Sequence, residues 1–84
     1  MSAYRKIYEY IMLRVSDSHI PFEDLRGLLK SLGFNDKING DHHIFTAENV
    51  FEILNLQPKA GKCKPYQIKQ VRKIFLKYKI RPEE

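Results

Sequence analysis

The sequence predicts an α+β fold in which helices cover one face of a small three-stranded antiparallel sheet. Two observations lead there. Amphipathic stripes at three- and four-residue spacing occupy the chain up to about residue 33 and return from Pro65 onward, and between them, from Phe34 to Gln57, the apolar period shortens to two. Eighty-four residues with 43% hydrophobic content are enough for one compact domain, and a chain this short leaves little room for a large enclosed active site.

The first stripe is Tyr4, Ile7, Tyr8, Ile11 and Val15, which predicts a helix over 4–15 that ends at Ser-Asp-Ser-His. Pro21 suits a first helical turn and Glu23 and Asp24 suit a helix N-terminus, so a second helix is expected over about 21–32. Phe22, Leu25, Leu29 and Leu32 form its stripe and Gly33 its C-terminal cap. FNDKI and HHIFT then alternate around Asn39-Gly40-Asp41, a β-hairpin signature. AEN is a second turn, FEILNLQ reads as a third strand closed by Pro58, and KAGKCK leads into a final helix from Pro65 to Ile80. In that helix Ile68, Val71, Phe75 and Tyr78 are expected to face the core, with Lys69, Arg72, Lys73 and Lys77 on or beside the opposite face.

Charge is unevenly placed. Residues 1–58 hold six Lys or Arg against eight Asp or Glu, a net of −2, whereas 59–81 hold nine basic side chains and no acid. A cationic surface of this kind fits a polyanion, most often nucleic acid; a solvated basic helix is the bland reading. No apolar run approaches the roughly 20 residues that span a bilayer, and MSAYRKIYEY lacks a signal peptide's apolar core, so a soluble, cytoplasmic protein without membrane contact is expected. The single Cys63 forms no internal disulfide and is expected to be partly buried.

His42 and His43 are adjacent on a strand, so they point to opposite faces and cannot both serve one shallow site. That argues against a shared metal ion, and His19, in the linker between helices, has no partner at helical spacing. One histidine beside a phosphate-binding surface fits RNA cleavage better, because RNA carries its own 2′-hydroxyl nucleophile and a catalyst need only move protons and stabilise charge. On these residues alone, plain nucleic-acid binding is favoured over RNA cleavage.

LLKSLGF, GDHHIF and EILNLQPKAGKCKPYQIKQVRKI, in that order and spacing, resemble the HicA toxin family, in a variant with a Gly-Ser-His-His-Ile-Phe hairpin and a Gln-Pro…Gly-Lys…Lys-Pro-Tyr-Gln stretch. The resemblance covers about residues 5–80. It implies a fold similar to a double-stranded-RNA-binding domain, with 1–16 as an extra N-terminal helix and 20–81 as the core of a single domain spanning 1–84. It also implies metal-independent endoribonuclease activity on mRNA, no cofactor, and neutralisation by a HicB-type antitoxin. The family's catalytic histidine maps to His42, which leaves His43 for packing or substrate contact. Lys59, Lys62, Lys64, Lys69 and Lys73 are the candidates for holding the RNA backbone. One departure stands out: Asp41 occupies the place of the family's serine, where its carboxylate repels an incoming phosphate. An inactive derivative that only binds RNA is the alternative.

Overall fold

The structure is a computed structural model that describes residues 3–13 and 19–82. Three helices and three strands follow in the order α1 (Ala3–Leu13), α2 (Phe22–Ser31), β1 (Asn35–Asn39), β2 (His42–Thr46), β3 (Leu54–Leu56) and α3 (Pro65–Tyr78). The strands form one antiparallel sheet in the order β1-β2-β3. The α+β architecture expected from the periodicity is therefore present.

The hairpin turns on Gly40 and Asp41, since Asn39 pairs with His42. Gly40 supplies the positive φ, +63°, as the first central residue of a two-residue loop. That pairing sets every later register position, with Asp36 opposite Phe45, Ile38 opposite His43, and His43 and Phe45 opposite Leu56 and Leu54. All of these residues share one face. Phe45, Leu54 and Leu56 are buried there in one cluster with Phe22, Leu25, Leu28 and Leu29 of α2 and Ile68, Val71 and Phe75 of α3. The other face presents the exposed Asn35, Lys37, Asn39, His42 and Asn55. Helices cover one side only.

α1 belongs to that same core. Ile11 is fully buried, the Tyr8 ring packs 5.3 Å from that of Phe75, and the Tyr8 hydroxyl donates to the Ile80 carbonyl at 2.7 Å. Val15, the last member of the expected stripe, lies outside the described residues, as does the stretch Ser16–Ser18.

Four expectations need correction. Pro21 stands at the N-cap position of α2 in extended conformation, not inside the first turn, because it forms an isolated bridge to Lys62. The third strand is three residues long, not seven. Its first part is diverted toward the end of α3, where the Phe51 N–H donates to the Tyr78 hydroxyl and Glu52 accepts from Lys77 and Tyr78 at 2.7 Å each. Arg72 is buried, only 6% exposed, with its Nε donating to the Ile11 carbonyl of α1 at 2.8 Å. Cys63 is fully rather than partly buried, and burial pushes its thiol up to about 12. Gly33, by contrast, takes the positive φ that a residue following a helix end needs. Among the described residues no helix is long and apolar enough to cross a membrane.

Ile11 tests whether α1 is structural. Truncating it to Ala should lower unfolding free energy by about 2–4 kcal/mol in urea titrations, the usual cost of emptying a packed site. A change below about 0.5 kcal/mol, the level of a surface substitution, would show that α1 is dispensable.

Candidate active site

Strand alternation separates the two histidines as expected. His43 faces the helices, with its side chain 13% exposed, while His42 is exposed on the open face. Their surroundings differ accordingly.

The His43 Nδ1–H donates to Asp36, at 3.1 Å from Oδ1 and 3.3 Å from Oδ2. Asp36 in turn pairs with Arg26 Nε of α2, and Arg26 also reaches Glu23 at 3.2 Å. The His43 ring lies edge-on to Phe22 at 4.8 Å and stacks on Phe45 at 6.2 Å. Burial raises the Asp36 carboxyl, but hydrogen bonds from Arg26 and His43 outweigh it, so the net shift is downward from 3.8. This network ties α2 to both strands of the hairpin, and the surroundings of His43 favour a packing role over contact with substrate.

The His42 Nδ1 lies 3.0 Å from Asn55 Oδ1 on β3. An amide oxygen only accepts, so Nδ1 is the donor in this contact, and in the neutral ring Nε2 is then the acceptor nitrogen. Asn55 thereby selects the tautomer in which Nε2 can take a proton. Its partner is across the sheet, and among the described residues no hydrogen bond joins the ring to Asp41. Sequence reasoning missed Asn55: its alternation between Leu54 and Leu56 marks an outward-facing residue, but only the register of β2 on β3 brings it to His42.

The five candidate lysines are not placed alike. Continuing the β2–β3 register one step places His42 opposite Gln57, where the lysine-bearing loop begins. That loop is folded on itself by reciprocal backbone bonds between Lys59 and Lys62 at 2.9 and 3.0 Å, and both lysines are exposed. Lys64, half-buried, is the N-cap residue of α3; its N–H donates to Gln67 Oε1 at 3.2 Å. Gln67 Nε2 donates to the Gln57 carbonyl at 3.1 Å, so the start of α3 is tied to the His42 end of the sheet. Lys73 lies farther along α3 and lines a groove of about 440 Å³ with Asn55. Lys69 is exposed on α3, and no contact ties it to His42.

Of the nine cations counted from the sequence, Arg72 is buried and Lys77 is paired at the surface with Glu52. The Lys77 ammonium, followed by the Tyr78 hydroxyl, holds the Glu52 carboxyl down at about 2. His19 is exposed in the segment before α2. Among the described residues no three His, Cys, Asp or Glu side chains gather as a metal site would require. Another groove, of about 740 Å³, runs between Tyr4 and the 78–82 segment and holds none of the candidate residues.

No protein-family model matches the chain, and no curated protein and no solved structure matches it either.

Two measurements check this geometry. In ¹⁵N-detected spectra of the histidine rings above pH 8, His42 should be mainly the Nδ1–H tautomer, and Asn55→Ala should return it to the Nε2–H form usual for free imidazole; identical spectra for the two proteins would remove Asn55 from the site. Asp36→Asn should lower stability at pH 7 by about 2 kcal/mol, the order expected for hydrogen bonds to a charged group. Because the folded-state value is depressed, the Asp36 contribution is complete well above 3.8 and is lost as pH falls through the lowered value. The melting temperature of the parent should therefore drop more steeply than that of D36N between about pH 4 and pH 2, the range flanking an ordinary carboxylate.

Proposed function

We propose that the chain is a metal-independent endoribonuclease that cleaves mRNA, a HicA-like toxin of double-stranded-RNA-binding-domain-like fold held in check by a HicB-type antitoxin. The observation that carries the reading is His42: an exposed imidazole whose Nδ1 is held by Asn55, at the end of the sheet where the acid-free basic loop starts.

The chemistry follows from that placement. The unprotonated Nε2 accepts the proton of the ribose 2′-hydroxyl as O2′ bonds to phosphorus and the P–O5′ bond breaks. The imidazolium so formed, or water, returns a proton to the departing O5′, which leaves a 2′,3′-cyclic phosphate on one product and a 5′-hydroxyl on the other. Lys59, Lys62 and Lys64 neutralise the phosphodiester as charge accumulates on its oxygens, and Lys69 and Lys73 hold flanking phosphates. No step needs a metal ion. Asp41, exposed in the hairpin turn, is the feature least favourable to the reading, since a carboxylate next to His42 opposes an incoming anion.

Asp41 also supports the second reading, an RNA-binding module that has lost activity. Product formation separates the two. With a labelled transcript and antitoxin-free protein, the parent should yield fragments ending in cyclic phosphate, and His42→Ala should lower the rate by at least about 100-fold, the low end of what a general acid–base group supplies. His42 is exposed, so the variant should keep the parent's circular dichroism spectrum. Equal rates would remove His42 from catalysis, and loss of cleavage on adding EDTA would contradict the proton-transfer mechanism. A parent that binds RNA in a salt-dependent manner but yields no product is the binding module.

A further inference from the structure

The groove between β3 and α3 lends only Asn55 and Lys73 to the mechanism above, and the rest of its lining is unassigned. Ile53, Leu54 and Ile74 form its apolar part, Asn55 and Gln70 bring side-chain amides, and Lys73 brings an ammonium. Of the two charged residues at its other end, Lys77 is neutralised by Glu52 at 2.7 Å, so Lys73 is the one lining cation without an acidic partner among the described residues. Ile53 is 65% exposed although apolar, and Gln70 is exposed as well, so neither is committed to the core. The volume, about 440 Å³, falls in the range of roughly 300–1,000 Å³ that small-ligand clefts occupy.

We propose that this groove binds one unpaired nucleotide of the RNA strand whose neighbouring phosphodiester lies at His42, a subsite that rests on the ribonuclease reading and extends it to a preference for single-stranded substrate. The join between the two is Asn55, which lines the groove and also holds His42 Nδ1 through its Oδ1. Its Nδ2 amino group remains as a donor, and the Gln70 amide adds a donor and an acceptor. Together they match the edge of a nucleobase, which always carries both kinds of group. Ile53 supplies an apolar surface for the base face, and Phe51, 94% exposed and adjacent in sequence to the groove-lining Glu52, offers an aromatic ring for a second base. One free ammonium per nucleotide matches one phosphate per nucleotide. A paired base has its Watson–Crick edge occupied and its faces stacked, so the groove selects unpaired strands.

Titrating the ¹⁵N- and methyl-labelled chain with a 2′-O-methyl oligoribonucleotide, which has no nucleophile and cannot be cut, tests the subsite without requiring turnover. Saturable shifts at the Asn55 and Gln70 side-chain amides and the Ile53 and Ile74 methyls are expected, and neither an abasic strand of the same length nor inorganic phosphate should reproduce them. Ile53→Ser and Gln70→Ala, both at exposed positions, should each weaken binding by about tenfold, and for RNA that is cut should raise KM with little change in kcat. Groove shifts with an RNA that the parent leaves intact would uphold the subsite while the nuclease reading fails. Cleavage by the parent with unmoved groove resonances, and unchanged KM in both variants, would overturn the subsite and leave the nuclease standing. Shifts reproduced by the abasic strand, or a groove that takes an acidic peptide but no oligonucleotide, would also overturn it.

Discussion

Register in β2 is the constraint on which the site depends. A strand has a period of two, so a slip of one residue exchanges every side chain between faces. Two features hold β2 where it is. Phe45 is fully buried under the helices, and His43, two residues earlier on the same face, is pinned through Asp36 to Arg26 of α2. His42 is therefore directed to open solvent because its neighbours are directed inward. Moving Phe45 to the open face would lose roughly 1.5–3 kcal/mol of apolar burial, and Asp36 would leave its two partners as well.

The same pinning gives the paired histidines unlike chemistry. His43 donates to a carboxylate that already pairs with an arginine, an arrangement that joins elements across the core side of the sheet. His42 donates to a neutral amide in solvent, which orients the ring and chooses its tautomer without adding charge beside it. The partner of His42 is thus uncharged, unlike the Asp36 that holds His43. Asp41 already supplies one negative charge nearby in sequence.

Much of the architecture was legible from periodicity. The hairpin at Gly40 and Asp41, the turn at Asn49, the ends of α2 and the start of α3 follow from local rules about positive φ, proline and helix dipoles, and such rules act over a few residues. The separation of His42 from His43 was legible for the same reason. Three features were not. FEILNLQ alternates like a full strand, yet Glu52 finds its hydrogen bonds at the end of α3, 25 and 26 residues away in sequence. Arg72 looks like part of a solvated cationic face, yet it caps a carbonyl of α1, 61 residues earlier. Cys63 reads as a partly buried residue of a basic loop, yet its N–H donates to the Ile20 carbonyl at 2.9 Å and the Phe22 N–H donates to the Gly61 carbonyl at 2.9 Å, which draws the loop onto the start of α2.

The sequence by itself determined the α+β class, the positions of the turns, the acid-free basic segment and the opposite orientation of the two histidines. Each of these depends on spacing between near neighbours, and the bond geometry of a helix or strand translates spacing directly into direction. Only the tertiary structure decided that Asn55 reaches His42, that Asp36 and Arg26 fix His43, that Arg72 is buried and Lys77 pairs with Glu52, and that β3 and α3 leave a groove between them. Those are contacts across strands and between layers, set by how the pieces share one core, and no local spacing encodes them.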